Sequence, residues 1–170
     1  MGIDRVTLRP LGEELLQALL AAAVADADPR EVMPPVEGPS GWTALRRQAF
    51  LRFHRLRSLS DEPVETTYAI VVRETVVGAA RLAPHKETDT VEAGVWIGRS
   101  LRGCGVGAAV LRHLLEAARA DGAQRLVAST HIDNIPAQRL LTAAGGDLSQ
   151  HDATTVIAWV PLQSPWGSPS

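Results

Sequence analysis

The sequence predicts an α+β fold, in which helices flank a mixed and mostly antiparallel central sheet. Three observations lead to this prediction. One short strand pattern and two helical patterns open the chain, three β-branched runs separated by turn signals occupy residues 66–97, and the second half alternates helix, strand, helix and strand. This order differs from the regular alternation of strand and helix that is typical of a doubly wound parallel sheet.

The first 60 residues predict one strand and two helices. The strand covers Arg5–Leu8, and leucines at helical spacing predict a helix over Glu13–Val24. Residues 29–41 are rich in proline and glycine, which predicts a loop. A second helix is predicted from residue 40 or 41 to residue 57, and its apolar stripe consists of Trp42, Leu45, Ala49, Phe53 and Leu56.

Two features of this region allow two interpretations each. Met33 and Trp42, which lie in the loop and just after it, either belong to the core or close an apolar wall over a small ligand. The second helix also carries arginines that form either a solvated face or a basic wall facing an anionic ligand, namely Arg46, Arg47, Arg52, Arg55 and Arg57.

From residue 66 onward the sequence predicts a three-stranded meander followed by alternating helices and strands. A tight turn at Glu74 and Thr75 joins the first two strands. Gly122 is placed as residue C′ of a long helix, and Asn134 is placed as the N-cap of a short one, with Pro136 in its first turn. The predicted elements are strands Thr67–Arg73, Val76–Leu82 and Val91–Ile97, helix Val106–Ala120, strand Arg125–Thr130, the helix between Asn134 and Gly145, and strand Thr154–Val160.

Composition limits the classes of function. The 170 residues carry a net charge of −2, which does not favour general nucleic-acid binding, and no apolar run approaches the roughly 20 residues that span a bilayer. Cys104 is the only cysteine and the five histidines lie far apart, so neither a disulfide nor a metal site is predicted. We expect a single domain over residues 1–162, a flexible tail over residues 163–170, and a cytoplasmic protein without a signal peptide.

The most informative segment is the glycine-rich turn Arg102–Gly107, which follows a strand and opens a helix. The first backbone N–H groups of a helix have no partner inside the helix, and together with the helix dipole they attract anions. Glycines let the backbone approach a phosphate closely because they carry no Cβ. The turn therefore predicts a pyrophosphate-binding site.

Three other interpretations of the turn are weaker. A P-loop is excluded, because no Gly-Lys-Ser/Thr ends the turn. Gly103, Gly105 and Ala108 fit the dinucleotide pattern G-x-G-x-x-A, but that motif belongs in the first β-α-β unit of its fold, and here it follows an antiparallel meander. Asp133 is poorly placed to bind a ribose. A tight strand-to-helix connection without a ligand remains an alternative.

The second half of the chain resembles the GNAT N-acetyltransferase superfamily. The family signature Arg/Gln-x-x-Gly-x-Gly/Ala matches Arg102–Gly107, and Glu92–Ile97 is similar to the Glu-Ile-Gly-Tyr-Trp-Ile strand of the ribosomal-protein (RimJ/RimL-like) branch. The segment Asn134–Gly145 is similar to the Asn-x-x-Ala/Ser…Gly-Phe helix of the family. The resemblance is specific over about Val91–Gly146.

This resemblance implies that the chain binds acetyl-CoA. The pyrophosphate would lie on the backbone of Arg102, Gly103, Cys104, Gly105, Val106 and Gly107. The sheet would be splayed beside the preceding strand, where the backbone of Val95, Trp96 and Ile97 would pair with the pantetheine arm. Asn134 would contact the same arm, a role that is compatible with capping a helix.

The resemblance also implies candidates for the chemistry of amine acetylation. Glu92 matches the glutamate of the family strand and is the leading candidate for the general base, although it also fits a solvent-exposed position on a strand. His131 and Asp133 follow the next strand as further candidates for base or substrate contact, and His85 is a weaker one. Many family members have a tyrosine acid where this sequence has Leu141, so either another group, such as Ser129 or water, protonates the leaving thiolate or no acid is needed. Gly146 stands where the family usually has phenylalanine.

The acceptor is less constrained than the cofactor. We expect acetylation of a primary amine on a small molecule, such as an antibiotic or a metabolite, by direct transfer. The alternatives are acetylation of a protein N-terminus, as in the ribosomal branch, and a non-catalytic acyl-CoA sensor. A homodimer is compatible with the family resemblance.

Overall fold

The computed structural model describes residues 5–162. Seven strands and five helices follow one another in this part of the chain, with a single 3₁₀ turn at Arg99–Leu101. The strands are β1 (Val6–Pro10), β2 (Thr66–Val72), β3 (Thr75–Pro84), β4 (Thr90–Ile97), β5 (Arg125–His131), β6 (Asp147–Gln150) and β7 (Thr155–Pro161). The helices are α1 (Glu13–Asp26), α2 (Pro29–Val32), α3 (Ala44–Ser58), α4 (Val106–Ala120) and α5 (Ile135–Ala143).

All seven strands form one sheet in the order β1-β2-β3-β4-β5-β7-β6. Every neighbouring pair is antiparallel except β4 and β5, which run parallel. The predicted α+β class with a mixed, mostly antiparallel sheet is confirmed. The flexible tail predicted for residues 163–170 lies outside the described residues and stays a prediction.

Two short elements were not predicted. Strand β6 has only four residues, which is too few to show an alternating pattern, and it forms by pairing with β7. Helix α2 lies inside the segment that was predicted to be a loop. Its first turn is stabilised by Asp28, whose Oδ1 accepts a hydrogen bond from the backbone N–H of Arg30 at 2.9 Å.

Two apolar clusters cover the two faces of the sheet. Successive residues of a strand point to opposite faces, so Ala80 of β3 joins one cluster and Ala79 joins the other. Helix α4 covers the first face with the predicted apolar stripe, whose most buried members include Val110 and Leu114. Helices α1 and α3 cover the second face. Among the described residues, no helix is long and apolar enough to cross a membrane.

The apolar stripe predicted for α3 is wrong by one helical position. Leu45 and Leu56 are 59% and 60% exposed, whereas the buried side chains are Arg46, Phe50 and His54. The helix also begins at Ala44, later than predicted. The pattern predicted the wrong face because the buried face carries two polar residues, Arg46 and His54, of types that rarely lie in a core.

The side chain of Arg46 explains why an arginine is buried there. Its guanidinium donates hydrogen bonds to the carbonyl oxygens of Val36 at 2.8 Å and Gly41 at 2.9 Å, and also to those of Gly38 and Pro39. These carbonyls belong to the loop before α3, so the arginine fixes that loop. Arg46 therefore lies neither in a solvated face nor in a basic wall.

The structure shows the two predicted helix caps of the second half and the surroundings of Gly146. Gly122 adopts φ +84° after α4, and the Oδ1 of Asn134 accepts a hydrogen bond from Ala137 N at 3.2 Å, so both caps are confirmed. A Cβ on Gly146 would lie 2.6 Å from the carbonyl oxygen of Leu141. The close packing of this backbone explains why glycine stands at position 146.

We predict that His54 makes stability depend on pH. Burial lowers the pKa of His54 from 6.5 to about 4, and the nearby charge of Glu65 only partly opposes this shift. Below pH 6.5 the unfolded chain binds a proton that the folded chain does not, so stability falls as the pH decreases towards 4. We expect His54 alone to lower the free energy of unfolding by about 2 kcal/mol between pH 7 and pH 5.

The measurement is urea unfolding of the wild type and His54→Phe at both pH values. The phenylalanine removes the titrating group and keeps the ring, which packs against Phe50 with centroids 4.6 Å apart. The difference between the two pH slopes isolates His54. Equal slopes in the two proteins would contradict the prediction.

Candidate active site

The sheet splits between its two parallel strands. β4 and β5 pair from Thr90 and Arg125 to Ala93 and Ala128, and not beyond. β4 then continues to Ile97 beside β3, while β5 continues beside β7. One backbone edge of β4, over residues 94–97, therefore has no strand partner within the described chain, as the resemblance implied.

The turn Arg102–Gly107 lies just after this free edge. Gly103 and Gly105 adopt φ values of +77° and +82°, and Gly105 is the N-cap of the 15-residue helix α4. Within residues 5–162, the backbone N–H groups of residues 103–108 donate to no backbone acceptor. A Cβ on Gly103 would meet no atom within 4 Å. A row of free donors with room for a close approach fits a pyrophosphate.

Ionic contacts join this turn to helix α2. Arg102 donates from Nε to the carbonyl oxygen of Ile97 at 3.2 Å and from Nη2 to Oε2 of Glu31 at 3.3 Å. The other oxygen of Glu31 lies 3.5 Å from Nη2 of Arg99. Arg102, which was predicted to bind the pyrophosphate, therefore already shares its charge with a carboxylate from the first half of the chain.

A cavity of about 400 Å³ opens at the split. Three adjacent strands form its floor. Thr67 of β2 pairs with Arg81 of β3, and Arg81 pairs with Gly94 of β4, so the strand register brings these three residues together. Side chains from α3 and from the segment after α1 form its walls. The lining residues are Glu31, Val32, Met33, Pro34, Phe53, His54, Thr67, Ala79, Ala80, Arg81, Ala93, Gly94, Val95, Trp96 and Ser129.

Glu92 lies on the same face of β4 as Gly94, two residues from the cavity floor. Its Oε1 accepts a hydrogen bond from Nη2 of Arg81 at 3.1 Å. Arg81 in turn lies 3.5 Å from Oε2 of Glu65, whose side chain is only 1% exposed. Arg57 lies 3.1 Å from the other oxygen of Glu65. Two arginines and two glutamates thus alternate, and they hold the candidate base at the edge of the cavity.

The other candidate catalytic residues are spread more widely. Ser129 lines the cavity. His131 lies two residues further along β5 and is more than half exposed, and its Nδ1 accepts a hydrogen bond from Asp133 N at 3.1 Å. His85 packs its ring against Trp159, with centroids 5.6 Å apart, and does not line the cavity. Of these four candidates, only Ser129 lines the cavity, whereas His85, His131 and Asp133 do not.

Three further residues have clear structural positions. Leu141 is buried at 6% exposure in the cluster beneath α4, so the position of the family tyrosine contributes an aliphatic side chain to the core. Met33 is buried and also lines the cavity, so both of its predicted roles apply. Trp42 donates from Nε1 to the carbonyl oxygen of Ala27 at 2.9 Å, is partly buried and packs against the core.

Sequence reasoning missed the polar residues in and beside the cavity, chiefly His54, Glu65 and Arg81. Glu65 and Arg81 flank or interrupt apolar strand runs, and that interruption is a signal that could have drawn attention to them. His54 gave no signal, because the predicted register placed it away from the buried face of α3.

A family model described as acetyltransferase (GNAT) domain matches residues 5–147 of this sequence. The chain therefore belongs to the GNAT acetyltransferase family, and it is an acyltransferase that uses acetyl-CoA. The predicted family, enzyme class and cofactor are confirmed. No curated protein sequence matches the chain.

Solved structures agree in fold. RimJ of Mycobacterium smegmatis, in complex with CoA-disulfide, superposes with a TM-score of 0.73 at 19% identity, covering 93% of this chain and 82% of that protein. An acetyltransferase of Thermus thermophilus superposes with a TM-score of 0.70 at 19% identity, covering 95% of this chain and 100% of that protein. The N-acetyltransferase PseH of Campylobacter jejuni, in complex with acetyl coenzyme A, superposes with a TM-score of 0.65 at 14% identity, covering 92% of this chain and 99% of that protein.

We predict that Gly103→Ala weakens CoA binding by tenfold or more, measured by titration calorimetry. A methyl group there would enter the space beside the free N–H groups. Gly122→Ala is a matched control, since Gly122 has φ +84°, equally open surroundings and a position at the other end of α4. Both variants carry the same left-handed strain of about 1 kcal/mol. Equal CoA affinities of the two variants would show that the turn does not bind the cofactor.

Proposed function

We propose that this enzyme acetylates a primary amine of a small molecule, such as an antibiotic or a metabolite, by direct transfer from acetyl-CoA. The observation that carries the proposal is the cavity at the β4–β5 split, which begins where the free edge of β4 begins. Its volume of about 400 Å³ is within the range of small-molecule sites. Val32, Met33 and Pro34 give it an apolar wall beside the polar floor.

The cofactor supplies the acetyl group as a thioester, and the chain supplies the groups around it. We assign the cofactor contacts to Arg102–Gly107, to the backbone of Val95, Trp96 and Ile97, and to Asn134. Backbone N–H groups on the free edge of β4 are suited to stabilise an oxygen that gains negative charge during the attack.

The acceptor amine must lose a proton before it attacks, because an alkylammonium with a pKa near 10 is almost fully charged at pH 7. We assign this proton to the carboxylate of Glu92, which Arg81 holds beside the cavity, with water relaying the proton. We assign to Ser129, which lines the cavity from the neighbouring strand β5, the role of the acid or of orienting the water that acts as the acid.

The position of Cys104 supports direct transfer. A covalent acetyl-cysteine would require the thiol to face the reacting groups. Cys104 is exposed on the turn before α4, its Sγ contacts the carbonyl oxygen of Arg102 at 3.8 Å, and it does not line the cavity.

A panel of acceptors tests the acceptor class. Release of free CoA thiol is followed with aminoglycosides, polyamines and amino acids on one side, and with peptides carrying free N-termini on the other. Turnover with small amines supports the proposal, and turnover with peptides alone would replace it by protein N-terminal acetylation. Tight CoA binding without turnover on either panel would indicate a sensor. The cytoplasmic location and the homodimer stay predictions.

For the general base, we predict that Glu92→Gln lowers kcat by about 10²-fold and flattens the pH-rate profile, because the amide accepts no proton. Glu87→Gln is the control, since it also removes a carboxylate facing an arginine, Arg125 at 3.8 Å, but in the loop before β4. An unchanged pH profile in Glu92→Gln would remove Glu92 from the role of base.

A further inference from the structure

Two residues that line the cavity carry buried nitrogen atoms without hydrogen-bond partners in the described chain. These are Nδ1 and Nε2 of His54 and Nε1 of Trp96. His54 is only 5% exposed, so water does not replace the missing partners at its surface. The two residues come from α3 and β4, which are distant in sequence and both contribute to this cavity.

Such unpartnered groups are uncommon in folded proteins because they are costly. A buried donor or acceptor without a partner loses its hydration and gains nothing in return. The buried carboxylate of Glu65 also has one oxygen, Oε1, without a hydrogen bond, but Nε of Arg57 lies 3.1 Å from it and pairs with its charge. Thr67 shares a hydrogen bond with Ser58 at 2.6 Å, and Arg81 pairs with Glu65 and Glu92. The free nitrogens of His54 and Trp96 therefore point to a partner that binds in the cavity.

The charges around the cavity limit the nature of that partner. Beside α3, the charges of Arg57 and Arg81 are balanced by those of Glu65 and Glu92. An additional ionised group would remain without a counter-charge, which is costly in a buried site. The imidazole of His54 is itself neutral at pH 7, since burial holds its pKa at about 4.

The hydrogen-bonding capacity of His54 and Trp96 further limits which chemical group of a ligand could bind there. A neutral imidazole has one donor and one acceptor, and the indole of Trp96 has one donor. The two ring nitrogens point away from each other, so one ligand group can bond only one of them. A hydroxyl group matches the indole together with either ring nitrogen, because its oxygen accepts from the indole N–H while it also donates to the unprotonated ring nitrogen or accepts from the protonated one.

We propose that His54 and Trp96 together bind a hydroxyl group of the acceptor, so that the preferred substrates are hydroxylated primary amines. This inference rests on the proposed function, because it concerns the part of a small-molecule amine that does not react. The amine itself would lie towards Glu92 and Ser129, and the hydroxyl would lie against α3.

The test compares primary amines of equal chain length that end in a hydroxyl, a methyl, a carboxylate or an ammonium group. In the wild type, kcat/KM for the hydroxyl compound should exceed that for the methyl compound by about tenfold or more, since a site built for a hydroxyl rejects analogues that lack it. His54→Phe and Trp96→Phe should each reduce this ratio to within about twofold. Phe53→Leu, which changes an apolar part of the wall, should leave the ratio as in the wild type.

The ratio is measured within each variant, so a general loss of activity does not affect it. The two substitutions lie on different elements, and both keep an aromatic ring, so a folding defect in one leaves the other informative. An unchanged ratio in both, or a preference for the carboxylate or ammonium compound, would overturn the inference while the proposed function stands. If no small amine in the panel is acetylated, the proposed function fails and the inference fails with it.

Discussion

The structure depends on the point where β4 and β5 stop pairing, after Ala93 and Ala128. Backbone groups that leave a sheet must find other partners, or they lose free energy comparable to a hydrogen bond. Here β5 remains paired with β7 and β4 remains paired with β3, so the split frees only one edge of each strand. The free edge of β4 and the cavity below it are consequences of the same geometry.

The split lies between two candidate sites, one for the cofactor and one for the acceptor, which different surrounding elements form. Helix α4 begins shortly after the free edge of β4, and the N–H groups of its first turn have no backbone acceptor, which suits the cofactor. On the opposite face, α3 and the segment from Glu31 to Pro34 close the acceptor side. Glu31 belongs to both, because it lines the cavity and pairs with Arg99 and Arg102 beside the cofactor turn. The two sites are therefore joined by ionic contacts as well as by the strand.

The polar groups of the acceptor side divide into two sets with different physical roles. The charged set is internally balanced, and through the contact of Arg81 with Glu92 it fixes the candidate base. The neutral set, His54 and Trp96, has hydrogen-bonding capacity that the described chain does not use. Balanced charges suit a structural and positioning role, whereas unused neutral donors suit recognition of a ligand.

The sequence by itself determined the turn Arg102–Gly107, the bounds of α4 and the Asn134 cap, because glycine conformations, helix periodicity and capping depend on neighbouring residues. From these and the family resemblance, the cofactor and the enzyme class could be predicted. Only the tertiary structure decided which face of α3 is buried and which side chains meet at the acceptor cavity. Arg81 reaches Glu92 through strand register, and His54 reaches the cavity through helix packing. Neither depends on local sequence, because both are set by elements far apart in the chain.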